Sequence, residues 1–401
     1  MYFCISGIQI RICMYIHRSI ENIIRSVVDK IPVIVLTGPR QSGKTTLSKM
    51  LFSDFHYYNL EFPDTFEIAK NDPRFLFKDI EQGIIIDEVQ KLPALLSYIQ
   101  AITDAKKING KIILTGSQNF NLTDSVNQSL AGRTIHFTLL PFSIDELKKV
   151  QLLGFSNDFI FKGCYPRIYD QNIDPHLLLN SYIQSYVERD VRQMVNIKDL
   201  TRFQLFIKII AGRVGQIINY QAFASEIGVD AKTIRNWLAI LEASYIIFHL
   251  KPYYKNFNKR LIKSSKIYFY DTGIVCSLLG IREAKQLDGH YIKGGLFENM
   301  VIADLKKRYF NMGLQDSMYF WRDSSGNEID CIIEHSASVS LIEIKSSMTF
   351  HNDFHRNIDR FTHISTDKIN KCYIVYNGEE SFPFKNSEVI KWDMSAKLEL
   401  T

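Results

Sequence analysis

The run Gly38-Pro39-Arg40-Gln41-Ser42-Gly43-Lys44-Thr45, with Thr46 after it, has the residue types and spacing of a phosphate cradle. Glycines at its two ends allow a backbone geometry that a side chain would block. A lysine at this place reaches the β- and γ-phosphates of a nucleotide, and the Thr45 hydroxyl can hold Mg²⁺. The run Gly83-Ile84-Ile85-Ile86-Asp87-Glu88 supplies the complement. Asp87 would hold Mg²⁺ through the metal's water shell, and Glu88 could polarise an attacking water. A third run, residues 111–118, ends in hydroxyl and amide groups. Thr115 or Ser117 there could contact the γ-phosphate or the nucleophilic water; a capping turn begun by Ser117 is the equal alternative.

Groups like these need a parallel sheet to bring them together. Val33-Ile34-Val35-Leu36-Thr37 is a β-branched run that predicts a buried strand, and the leucines after Thr46 fall at helical spacing. A strand feeding a glycine loop that opens a helix aims backbone N–H groups at one spot, at the positive end of the helix dipole. The isoleucines before Asp87 predict a strand buried on both faces, with ligands gathering at its carboxyl end. The fold class is therefore α/β, with a parallel-sheet nucleotide-binding core over residues 14–141. Residues 135–139 predict its last strand. Arg133 before that strand, and Arg40 within the loop, are candidates for contacting the nucleotide of a neighbouring subunit. A surface or structural salt bridge is as well supported for either arginine alone. Residues 142–200 turn helical and predict a lid over the nucleotide, with Glu188, Arg189, Asp190 and Arg192 as a solvated, self-paired face.

The chain has 401 residues, more than one core usually supports, and is 46% hydrophobic. No stretch approaches the ~20 uncharged apolar residues of a membrane helix. The apolar start, residues 1–8, is short, has no basic region ahead of it and makes a poor signal peptide; Met14 opens a more natural beginning. A net charge of +5 permits nucleic-acid contact without demonstrating it. Cys4, Cys13, Cys164, Cys276, Cys331 and Cys372 form no C-x-x-C pair and read as reduced thiols of a cytoplasmic protein.

Residues 201–282 predict a winged helix: helices over 203–211, 220–228 and 231–241, then strands over 245–250 and 266–270. The third helix would enter a major groove, with Lys232, Thr233, Arg235 and Asn236 as readers. The loop between the strands carries Lys251, Lys255, Lys259, Arg260 and Lys263 among aromatic residues and would track phosphates. A protein-interaction role is the equal alternative. Residues 283–401 hold a second chemistry. Glu298 opens a helix, Asp330 lies on a strand returning from the turn Ser324-Ser325-Gly326-Asn327, and Glu343-Ile344-Lys345 follows on a third. Alternation puts Glu343 and Lys345 on one face. Glu298, Asp330 and Glu343 could gather Mg²⁺ while Lys345 positions water, an arrangement suited to phosphodiester cleavage.

The chain from about Met14 resembles the prokaryotic AAA-type P-loop ATPases that carry a C-terminal domain of unknown function with a restriction-endonuclease-like core. The resemblance rests on Gly38 to Thr46, on Ile85 to Gln90 and on Leu130 to Arg133. It continues through Lys266 to Gly273, read K-I-Y-F-Y-D-T-G, then Phe297-Glu298-Asn299, Glu328 to Asp330 and Glu343 to Lys345. It implies an ATPase core using ATP and Mg²⁺, a winged helix and a nuclease-like end. Two classes of function stay open. In one, nucleotide turnover regulates a DNA-binding or nuclease-like end, with DNA or another nucleic acid as partner and a homo-oligomer through the core. In the other, a signalling or scaffold ATPase uses that end only to bind partners.

Overall fold

The computed structural model describes residues 15–117, 130–190, 199–253 and 264–401, together with the short strands Phe3–Ile5 and Ile8–Ile10. The expectations for Gln118, Cys4, Cys13, Arg192, the 255–263 part of the basic loop and the side chains of Glu188, Arg189 and Asp190 lie outside the described residues.

Five parallel strands form the first sheet: β1 (Val33–Thr37), β2 (His56–Asn59), β3 (Ile84–Asp87), β4 (Ile112–Gly116) and β5 (Thr134–Thr138). Their order is β2-β3-β4-β1-β5. Every residue of β1, β3 and β4 is buried, which is why these strands are continuous apolar runs. The register sets Thr37 opposite Gly116 and Thr138, and Asn59 opposite Asp87, so the carboxyl ends of all five strands meet along one edge. Helix α1 (Lys44–Leu51) starts at that edge. Short helices follow, among them α2 (Ile144–Lys149), whose start is closed by a capping box between Ser143 and Glu146.

Next come α3 (Leu200–Ala211), α4 (Tyr220–Ile227) and α5 (Ala231–Ala243). The side chains of Asp199, Asn219 and Asp230 accept from Arg202, Ala222 and Thr233 and start each helix. Phe203, Phe206, Phe223 and Trp237 pack edge to face and tilted in the core between the helices. The hairpin of β6 (Ile247–Pro252) and β7 (Lys266–Phe269) follows.

That hairpin does not stand alone. It continues a sheet formed with β8 (Met318–Arg322), β9 (Glu328–Glu334), β10 (Val339–Lys345), β11 (Ile369–Tyr376), β12 (Phe382–Phe384) and β13 (Ser387–Lys391). The order is β12-β13-β11-β10-β9-β8-β6-β7, with β8 pairing parallel to β6 at Tyr319 and Lys251. The long helix α6 (Lys293–Asn311) joins the two halves of the chain. At its start Asn299 exchanges hydrogen bonds with both backbone groups of Phe269, at 2.7 and 2.9 Å. Further along, Asp304 accepts from the Ile144 N–H at 2.7 Å and Lys307 donates to the Phe142 carbonyl at 3.0 Å. Buried polar groups on a helix require such partners. No helix among the described residues is long and apolar enough to cross a membrane. Cys164, Cys276, Cys331 and Cys372 are buried free thiols.

Candidate functional site

The loop between β1 and α1 shows why glycine is needed at its ends. Gly38 has φ +144°, and a Cβ there would stand 2.1 Å from the Leu139 carbonyl oxygen. Gly43, with φ +96°, turns the chain into the first turn of α1. Lys44 is buried, and its ammonium donates to the Gly38 and Pro39 carbonyls at 3.0 and 2.8 Å. Burial pushes that ammonium down to about 8, against the opposing pull of Glu88 and Asp87. The Ser42 hydroxyl is buried with no hydrogen-bond partner among the described residues.

At the end of β3, Asp87 collects hydroxyls. Thr45 donates to it at 2.7 Å, Tyr57 at 2.6 Å, and Thr115 donates to its other oxygen. The neighbouring Glu88 is forced to a left-handed φ of 58°, unusual for a residue with a side chain, and Ser117 (3.0 Å) and Gln90 bond its carboxylate. A cavity of about 640 Å³ opens over the loop. Arg40, Gln41, Lys44, Thr45, Thr46 and Glu88 line one side, and Pro166, Arg167, Tyr182 and Tyr186 of the helical segment line the other. A second cavity of about 370 Å³ shares Gly43, Thr46 and Pro166 with it and is walled by Tyr15, Ile16, Leu47, Met50 and Phe142. An orphaned hydroxyl, a buried ammonium on backbone carbonyls and a loop that excludes side chains together fit a polyphosphate.

The two arginines differ. Arg40 lines the first cavity and lies over the Tyr186 ring at 5.7 Å. Arg133 makes a two-pronged ion pair with Asp104 at 2.7 and 2.9 Å and does not line the cavity. Sequence reading missed Arg18, which is buried and clamps the site from behind. It donates to the Ser42 carbonyl at 3.0 Å, the Leu140 carbonyl at 2.6 Å and Glu146 at 3.2 Å.

The C-terminal acids are drawn together differently from the set expected. Oxygens of Glu298, Glu328 and Asp330 lie within 4.8 Å of one another. Glu343 is not one of those three but lies near enough to Asp330 for the aspartate's charge to act on it, and it is bonded to Lys345 at 2.6 Å and Asn357 at 3.1 Å. Asp330 also accepts from the Ile344 N–H at 2.7 Å, which ties β9 to β10. Glu328 and Asp330 sit two apart on β9 and so share a face, a signal the sequence did hold. Lys266 held no such signal. Its side chain is 3% exposed, and its ammonium lies 2.9 Å from Glu298 and 2.5 Å from Glu328. Burial by itself would lower that ammonium; Glu298, Asp330 and Glu328 raise it above the usual lysine range. In this arrangement two of the three carboxylates, Glu298 and Glu328, are ion-paired with the Lys266 ammonium.

On α5, Lys232, Arg235 and Asn236 are exposed, while Thr233 is turned back onto the Asp230 cap at 2.7 Å from its N–H and 3.1 Å from its hydroxyl. Arg235 stacks 4.9 Å above the Tyr220 ring.

Residues 30–148 match the AAA domain family. Together with the strand order and the loop geometry, this supports an AAA-type P-loop ATPase. Residues 156–285 and 293–394 match two domains of unknown function, DUF8612 and DUF4143. The chain is 27% identical over 384 residues to an uncharacterized protein of Mycobacterium tuberculosis, covering 94% of this chain and 84% of the relative. It is 22% identical over 346 residues to an uncharacterized protein of Haemophilus influenzae, covering 77% and 81%. Among solved structures, a Walker-type ATPase of Pyrococcus abyssi is similar at 15% identity and a TM-score of 0.45, over 65% of this chain and 94% of that one.

Proposed function

We propose that the chain binds and hydrolyses ATP and passes its nucleotide state through α6 to a C-terminal half that engages nucleic acid. The phosphates lie on residues 38–45, and the base occupies the apolar cavity of Tyr15, Ile16 and Phe142. Lys44 leaves its carbonyl partners for the β- and γ-phosphates. Thr45 and Asp87 would hold Mg²⁺, which neutralises phosphate charge. Glu88, oriented by Ser117 and Gln90, takes the proton of the attacking water. Arg167 faces the phosphates from the lid, and Arg40 and Arg133 are the candidates for contacting the nucleotide of a neighbouring copy.

The observation that carries the transmission is a continuous set of bonds. Arg18 joins the Ser42 and Leu140 carbonyls, and α6 grips Phe142 and Ile144 just beyond. The same helix presents Glu298 and Asn299 to β7 at its other end. A change in the loop on nucleotide binding therefore bears on α6. Lys232, Thr233, Arg235 and Asn236 are the proposed nucleic-acid contacts. A second reading, in which the C-terminal half binds partners without cutting, is favoured by Lys266 among the acids.

Hydrogen exchange on the Glu88→Gln variant, which should hold ATP without turning it over, tests the transmission. ATP is expected to slow exchange in residues 293–311 as well as in residues 38–51. Protection confined to the loop would refute the route through α6.

A further inference from the structure

The motif Lys266 to Gly273 has no part in the ATP site, and its first residue is a buried cation of the C-terminal half. Lys266 lies on β7, the last strand of the eight-stranded sheet, and is held from both sides. It pairs with Leu250 of β6 on one side. On the other, the segment 215–218 bonds to the flanking backbone: Gly215 N–H to Ile267 at 2.8 Å, Ile267 N–H to Gln216 at 3.2 Å, Ile218 N–H to Ser265 at 2.9 Å. Tyr268, next on the same face, donates its hydroxyl to Glu298, and Arg322 stands 3.6 Å from the far oxygen of Glu328. The backbone of Lys266 is therefore held on both sides, and burial with two ion pairs holds its ammonium where an exposed lysine would drift.

We propose that Lys266 is the resident cation of the Glu298, Glu328 and Asp330 cluster, filling the seat that a divalent ion would need, so that the cluster takes up no metal and supports no metal-dependent cleavage while β7 is docked. The chemistry is substitution of one cation for another. Three carboxylate oxygens within one small volume repel each other unless a positive charge sits among them. A covalently attached ammonium supplies that charge at permanent local concentration, and a hydrated divalent ion must displace it to enter. Three hard oxygen donors are retained at ligand spacing, so emptying the seat exposes a carboxylate trio suited to Mn²⁺ or Mg²⁺. This concerns the C-terminal half alone, and it stands or falls independently of ATP hydrolysis.

The test is Mn²⁺ titration of the full chain by calorimetry without nucleotide, on wild type, Asp330→Asn, Lys266→Met and Lys266→Met with Asp330→Asn. Wild type and Asp330→Asn are expected to give the same heat up to millimolar Mn²⁺. Lys266→Met should take up one further Mn²⁺ per chain, lost when Asp330→Asn is added. Melting curves run alongside: Mn²⁺ should raise the Tm of Lys266→Met by several degrees and leave wild type unmoved. Uptake by wild type that Asp330→Asn removes would overturn the proposal, as would Mn²⁺-dependent plasmid cutting by wild type that Asp330→Asn abolishes. Those arms decide the matter even where Lys266→Met does not fold. A folded Lys266→Met that binds no additional Mn²⁺ would also overturn it.

Discussion

Glu343 is a carboxyl held in a dry place. Burial first, then the charge of Asp330, raises it from 4.5 to about 8, although Lys345 and Asn357 both bond it. Its Oε2 has no partner among the described residues. A carboxyl whose pKa is raised by folding binds more protons in the native state than in the unfolded one between those two values. The folded protein should therefore lose stability as pH rises from about 4.5 to about 8, and the loss should level off above that. Glu343→Gln keeps the shape and the acceptor for Lys345 but carries no charge. It is expected to flatten this fall, with the Tm above pH 8 higher than wild type by a few degrees. Thermal melts across this range give the answer; a variant curve with the wild-type slope would place the titration elsewhere.

At the scale of elements, α5 offers the clearest test of nucleic-acid binding. Lys232 and Arg235 are exposed on the same helix, the first in its opening turn and the second braced on Tyr220. Removing one side chain that neutralises a phosphate of double-stranded DNA should reduce the slope of log affinity against log salt by about 0.9. Lys232→Ala with Arg235→Ala is thus expected to lower that slope by about 1.8 in anisotropy titrations. An unchanged slope together with unchanged affinity would remove α5 from any DNA surface. The same helix was readable from sequence because its signals are local: Asp230 at the cap, then apolar residues at helical spacing through Leu241. Strand β2 was not. Its four residues, His56-Tyr57-Tyr58-Asn59, form a half-buried edge and make no apolar run, so Tyr57 and its bond to Asp87 went unseen. Arg18 went unseen for another reason, since a lone arginine before a helix looks like solvent-facing charge until its three buried acceptors are known.

Across the whole molecule, the parts legible in sequence are those built from neighbours in the chain. The loop from Gly38 to Thr45, the acids ending β3 and the Glu343–Lys345 pair each follow from strand, turn and spacing. The parts that were not legible depend on distant pairing. The β6–β7 hairpin reads as an independent wing, yet Lys251 pairs with Tyr319 and draws the hairpin into the C-terminal sheet. Only that pairing brings Lys266 to Glu328, and only the packing of α6 brings Glu298 to both. One chain of contacts thus runs from the phosphate loop through α6 to the carboxylate cluster, and ATP turnover at the loop is the claim on which the account depends. Phosphate release from Mg²⁺-ATP by the full chain, set beside Lys44→Ala, tests it most directly. The account predicts steady turnover by wild type and loss of turnover with weakened nucleotide binding in the variant, because no other side chain replaces that charge on the β- and γ-phosphates. Equal turnover by the two proteins would contradict it.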